Sequence, residues 1–154
     1  MQENFRVFLP LLIISGLLVA GCSTSALKPE VNVEGATVTS LSLTELTLEV
    51  ILSVDNPNPV GITLESLAFD VYYKDGDAWK YLSHGEQTGI RIDPGKNIVK
   101  VPVTVKTTDA LGALLSLANS SEIPLQIKGV VVPDLPGGLS PEIPFTKTVS
   151  IPRG

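Results

Sequence analysis

The sequence predicts an all-β protein with one helix, built as an antiparallel β-sandwich of the immunoglobulin or fibronectin type III kind. Three observations lead there. Apolar residues alternate with polar ones in run after run, the period of half-buried strands. Turns rich in glycine, proline and asparagine separate the runs. Valine, isoleucine, leucine and threonine are plentiful while aromatic residues make up only 5% of the chain, the composition of an aliphatic sheet core. The chain has a single cysteine, so the Cys…Trp…Cys spacing of a true immunoglobulin domain is absent.

Residues 1–21 stand apart from this pattern. Met1–Arg6 is short and polar, Val7–Ala20 is almost wholly apolar, and the run ends at Val19-Ala20-Gly21-Cys22. It is shorter than the ~20 residues of a spanning helix and has the length of a signal-peptide core. Small residues directly before a lone cysteine form a lipobox, in which the thiol is acylated and the chain is cut before it. Residues 1–21 are therefore expected to be a lipoprotein signal peptide, Cys22 the lipidated first residue and 22–30 a tether. Ser23, standing where an aspartate would retain the protein, implies outer-membrane sorting in a host with two membranes. The alternative is an ordinary signal peptide or a weak anchor with Cys22 incidental, and the weakly basic start and Pro10 fit that alternative better. The expected partner is a membrane, reached through the lipid on Cys22.

The domain proper is expected over 31–152. Val31, Val33 and Val38 open a first strand, interrupted by a bulge or bend at Glu34-Gly35. Leu46, Leu48, Val50, Leu52 and Val54 alternate with polar or outward residues through a long second strand. That strand stops at Asp55-Asn56-Pro57-Asn58-Pro59. Two prolines remove two backbone donors and fix two φ angles, and the asparagines can fold their amides onto nearby backbone. Ile62–Lys74 forms a third strand with Leu67, Phe69, Val71 and Tyr73 on one face. Asp75-Gly76-Asp77 signals a tight hairpin, and Ala78–His84 returns as the partner. Gly85–Gly89 reads as a loop, Ile90–Ile92 as a short strand and Asp93-Pro94-Gly95 as a turn.

Val99, Val101, Val103 and Val105 alternate with Lys100, Pro102, Thr104 and Lys106. Pro102 takes a donor out of the ladder, which places this strand at an edge or at a bulge. One helix follows, capped by Thr108 with Asp109 in its first turn. Leu111, Leu114, Leu115 and Ala118 form its apolar stripe, read as a lid on the sandwich. Ile123–Val132, a rigid loop over Pro133–Pro141 and a final strand over Ile143–Ile151 complete the chain.

Chemistry is sparse. The net charge of −5 leaves no basic stripe to displace counterions from phosphates, which argues against a nucleic-acid partner. His84 is the only histidine, and no serine sits in a nucleophile-elbow setting near it. Asp75 and Asp77 lack the spacing of an EF-hand and read as turn residues. One histidine and one lipidated cysteine cannot furnish a zinc site. No cofactor-binding motif is present. Tyr72, Tyr73, Trp79 and Tyr81 are aromatic platform candidates, but Tyr72 and Tyr73 alternate onto opposite faces, so packing is the simpler reading.

The order of these pieces resembles a known family. A valine- and leucine-rich strand closing in Ser53-Val54-Asp55-Asn56-Pro57-Asn58, then a tyrosine-bearing strand, then Ile92-Asp93-Pro94-Gly95 and Val101-Pro102-Val103, is similar to the type 2 late embryogenesis abundant proteins. These are the LEA14-like proteins of the water-stress and hypersensitive-response (WHy) domain. The resemblance spans about Val31 to Ile151. It implies a small β-sandwich with one helix and a non-enzymatic, stress-linked role in desiccation. Asn56, Pro57 and Asn58 match the family signature and are read as structural. The family has no catalytic residues to carry over. Most plant members lack a lipobox, so this chain is expected to serve at a cell-envelope surface, protecting envelope or neighbouring proteins. The alternative expectation is an accessory lipoprotein that presents the sandwich to an envelope or transporter partner.

Overall fold

The strand Glu45–Asn56 (β2) is central to a three-stranded sheet because both of its backbone edges are paired. Glu30–Leu41 (β1) lies antiparallel on one side and Gly95–Lys106 (β5) on the other. The computed structural model describes residues 27–116 and 121–152, so the expected signal peptide and Cys22 lie outside the described residues. A second antiparallel sheet contains Ile62–Asp75 (β3), Ala78–Ile92 (β4), Glu122–Asp134 (β6) and Ile143–Pro152 (β7), in the order β4-β3-β6-β7. The two sheets pack face to face, and Thr107–Ser116 (α1) covers one end. The chain is an antiparallel β-sandwich with one helix.

Alternation decides which side chains fill the space between the sheets. Leu48, Val50, Leu52 and Val54 of β2 and Val99, Val101, Val103 and Val105 of β5 are all buried. They face Leu67, Phe69 and Val71 of β3 across the core. A bulge in β3 between Leu64 and Ser66 resets the pleat, so Leu64 and Leu67 are both buried although three residues apart. The bulge expected at Glu34-Gly35 occurs between Val33 and Gly35. It turns Ala36 into the core, while Val38 is 49% exposed. Pro102 lies on β5, an edge strand, opposite Glu49, with the outward Lys100 and Lys106 on the same strand, the kind of place where a strand proline is tolerated.

Three expectations need correction. Gly85–Gly89 is not a loop: β4 runs unbroken from Ala78 to Ile92 and pairs with β3 along its length. Gly85 is needed there because Phe69 and Val103 occupy the space a side chain would take; a Cβ would lie 2.5 Å from the Phe69 ring. Strand β6 continues through Pro133 and Asp134, and its loop is closed by a bridge between Leu135 and Leu139. The helix starts at Thr107, whose N–H donates to Thr44 O; of the expected stripe, Leu111 and Leu115 face outward, while Ala118 and the Leu114 side chain lie outside what is described. Ala110 and Ala113 are buried, whereas Leu111 and Leu115 are 53% and 68% exposed.

Gly129, on β6, lies as close to its neighbours and meets backbone as well as side chains. A Cβ there would lie 2.5 Å from Ala68 O, 2.5 Å from the Phe145 ring and 2.6 Å from Phe69 Cβ. Because a backbone oxygen cannot swing aside, Gly129→Ala is expected to lower unfolding stability by about 2–3 kcal/mol. Phe145→Leu in the same chain should recover only the part owed to the ring. Equilibrium urea unfolding measures both, and a single variant within 0.5 kcal/mol of the parent would show that the strands can part at no cost.

Candidate functional site

Both ends of the sandwich carry a feature beyond plain packing, and the outer face of the second sheet carries a third. At one end, β2 crosses to β3 through Asn56-Pro57-Asn58-Pro59. Asn56 and Asn58 are each only 2% exposed. The Asn56 amide donates to Val60 O at 3.0 Å and to Ile92 O at 3.4 Å, and its Oδ1 accepts from Asn58 N at 3.0 Å and Asn58 Nδ2 at 2.8 Å. Asn58 Nδ2 also donates to Leu27 O at 2.9 Å. The prolines bring no N–H that would need a partner. The two amides bond to each other and to nearby backbone, and the chain preceding the sandwich arrives at this corner. Asn58 Oδ1 is buried and has no partner among the described residues.

On the outer face, a bulge after Val71 shifts the β3–β4 register by one residue. It brings His84 opposite Asp70, with Nδ1 2.8 Å from Asp70 Oδ1 and Nε2 3.9 Å from Glu86. Tyr72 and Tyr81 meet edge to face at 6.0 Å, and Lys128 lies 5.6 Å from the centre of the Tyr72 ring. Partial desolvation, with Asp70 beside it, holds the Tyr72 phenol above its usual range. Tyr73 points the other way, against the core, and Trp79 lies beneath Lys74. Counting back from the Asp75-Gly76-Asp77 turn without the bulge would set Asp70 opposite Ser83, which is why alternation alone does not reveal the pair. Ser83 instead sends its hydroxyl to Thr104 O on β5, tying the two sheets together. Asp75 pairs with Lys80. Among the described residues no group of three or more His, Cys, Asp or Glu side chains is placed to hold a metal ion.

The opposite end, where β1 turns into β2 and α1 leaves β5, is aliphatic. Leu41 and Leu43 are 72% and 97% exposed, and Leu41 shares the rim of one depression with Leu111 of α1. Beneath them a cavity of about 260 Å³ opens between the sheets. Leu46 and Leu48 of β2, Leu82 of β4, Ile123 and Leu125 of β6 and Ala110 and Ala113 of α1 line it. Among the described side chains of the helix, the buried ones that line it are the short Ala110 and Ala113. Helical periodicity misses this, since it assigns the largest residues to the buried face. The β1–β2 turn is held by Ser42, whose hydroxyl donates to Glu45 O and accepts from Glu45 N.

Residues 52–149 match the family described as late embryogenesis abundant protein, LEA_2. The uncharacterized protein MJ1138 of Methanocaldococcus jannaschii is 33% identical over 125 residues, covering 81% of this chain and 71% of that protein. A second protein of that organism, MJ0943, is 27% identical over 126 residues, which is 80% of this chain and only 28% of its own length. Two solved structures share the fold. The solution structure of AT1g01470 from Arabidopsis thaliana superposes with a TM-score of 0.61 at 16% identity, covering 82% of each chain. The crystal structure of a protein from Archaeoglobus fulgidus gives 0.55 at 10% identity, covering 81% of this chain and 96% of that one.

Removing the Asn56 amide leaves Val60 O, Ile92 O and both Asn58 donors short of a partner in a buried place. Asn56→Ala is expected to cost about 3 kcal/mol, and Asn58→Ala about 1–2 kcal/mol because fewer bonds end on it. Urea unfolding of the two variants tests this, and the reverse ranking would show that the bonds to Leu27 and Asn56 Oδ1 matter more than the link to Ile92.

Proposed function

Because this chain belongs to the late embryogenesis abundant family of the LEA_2 type, we propose that it is a lipid-anchored, non-enzymatic protein that protects envelope or neighbouring proteins during desiccation and related stress. The aliphatic end supports this reading most directly. A partly dehydrated client exposes apolar surface, and an end that displays Leu41, Leu43, Leu111 and Leu115 can cover such surface without a fixed interface. The end lies across the sandwich from Asn58, where the preceding chain enters. A domain tethered through Cys22 would therefore present its leucines away from its own anchor. Outward charges on the strands keep the remainder of the surface in water.

The outer-face cluster supports a non-enzymatic role. His84 has a carboxylate to orient it, but the hydroxyl next to it in sequence, on Ser83, is committed to Thr104 O. The alternative, an accessory lipoprotein docking on an envelope or transporter partner, is favoured by one observation: Leu111 and Leu115 project together from α1 as a short apolar ridge.

Dried or frozen with a labile dehydrogenase, the purified chain should preserve several-fold more activity than an equal mass of albumin. The combined variant Leu43→Ser, Leu111→Ser, Leu115→Ser should fall to the albumin level, and full protection by that variant would remove the leucines from the explanation. The anchor is tested separately. Growth with an alkyne-bearing fatty acid should label the wild-type chain and not Cys22→Ala, and equal labelling of the two would dispose of the lipobox reading.

A further inference from the structure

We propose that the outer face of the β4-β3-β6-β7 sheet binds an acidic polysaccharide, with sugar rings laid on its tyrosines and carboxylates met by Lys74 and Lys128. The pairing of β3 with β4 sorts the four aromatic candidates of this region. Tyr73 packs against the core. Tyr72 stands opposite Tyr81, and Lys74 opposite Trp79, so the other three rings share one outward face. Core packing does not account for Tyr81, which is 58% exposed. Its ring meets Tyr72 edge to face at 6.0 Å, a contact that positions it while leaving ring surface open to a ligand.

The charges around the rings set the sign of the ligand. Lys128 lies opposite Asp70 in register, but both Asp70 oxygens have other partners. Oδ1 is 2.8 Å from His84 Nδ1, and Oδ2 accepts from the Tyr72 hydroxyl at 3.4 Å. Among the described residues neither Lys128 nor Lys74 forms an ion pair; they lie 5.6 Å and 5.7 Å from the ring centres of Tyr72 and Trp79. An exposed cation–ring contact is weak, so a ligand carboxylate can take over each ammonium. A pyranose suits the rings between them. Its C–H face covers an aromatic surface while the hydroxyls at its rim stay in water, and no polar group is buried unpaired. A nucleic acid fits less well, because a charge on every nucleotide needs a continuous basic track. Here Lys74 and the register position of Lys128 are separated by the run from Asp70 to Lys74, about 13 Å at about 3.3 Å per residue. A polysaccharide that is acidic at alternate sugars needs only such isolated cations. This site does not depend on the protective role, which needs only the outward leucines.

Trp79 is the only tryptophan of the chain, so its fluorescence reports on this face. The test titrates the full chain, in detergent micelles, with an octasaccharide of alternating glucuronate and N-acetylglucosamine. A saturable change in Trp79 emission is expected. A neutral N-acetylglucosamine oligomer of equal length should bind about tenfold more weakly, having lost both charge contacts. Tyr81→Ala should weaken binding of the acidic octasaccharide about tenfold by removing stacking surface. Lys74→Gln and Lys128→Gln should each weaken it about threefold and lessen its dependence on salt. If Tyr81→Ala lowers the unfolding midpoint, the lysine variants and the neutral oligomer still decide. No change in emission, equal binding of the neutral oligomer, or affinity unmoved by all three variants would overturn the proposal. So would equal or tighter binding of hexaglutamate or of an oligothymidylate, which would assign the face to acidic peptides or to single-stranded nucleic acid.

Discussion

The sandwich depends on a single buried amide. Asn56 closes β2, and through Val60 O and Ile92 O it binds the start of β3 and the end of β4. Those two points are where the chain passes between the sheets, first from β2 to β3 and later from β4 to β5. A buried donor shared between two crossings makes each one's geometry a condition of the other's. Hydrophobic packing is non-directional and would tolerate a range of sheet-to-sheet offsets; hydrogen bonds of fixed length would not. Asn97 repeats the device on the second crossing, taking Asp93 N on its oxygen and donating to Asp93 O and Gly95 O. The prolines around Asn56 complete the corner by fixing φ and demanding no partner.

Much of this was legible in the residues. Alternation located six of the seven strands to within a few positions, β4 being read as two pieces with a loop between them, and Pro102 pointed to an edge strand or a bulge. What was not legible depends on contacts between distant segments. Gly85 reads as a breaker locally, yet it continues β4 because Phe69, sixteen residues earlier, fills the space above it. His84 and Asp70 come together through a one-residue slip in register that no turn signal encodes. The amide pattern at Asn56-Pro57-Asn58 suggested a self-bonded corner, but nothing local could name Ile92 or Leu27 as its partners.

The helix shows the same limit in a more consequential way. Periodicity places large apolar residues inward, and for most helices tertiary packing agrees. Here Ala110 and Ala113 face the core, and Leu111 and Leu115 face out. The start of the helix is held at the end of β5, where Thr107 bonds to Thr44 O and Ser42 O. The two ends of the sandwich thus differ in kind, one displaying leucines and the other closed by buried asparagine amides.

The pairing of β2 with β5 also has a kinetic side. Strands β1 and β2 form a local hairpin, but β2's second edge waits for β5, whose last residue, Lys106, pairs with Glu45 at the first. Everything between, including the whole β3–β4 hairpin, must be made before that edge is covered. Loop closure over such separations slows folding relative to local pairing. During synthesis at about 5–20 residues per second, β2 emerges seconds before its partner, and its Leu-Thr-Leu-Glu-Val-Ile-Leu run is an open template for other strands. Glu49 interrupts that run and faces Pro102 and Lys100 once β5 arrives. A charge that contributes little to the finished sheet thus acts earlier, as a gatekeeper on the half-made one.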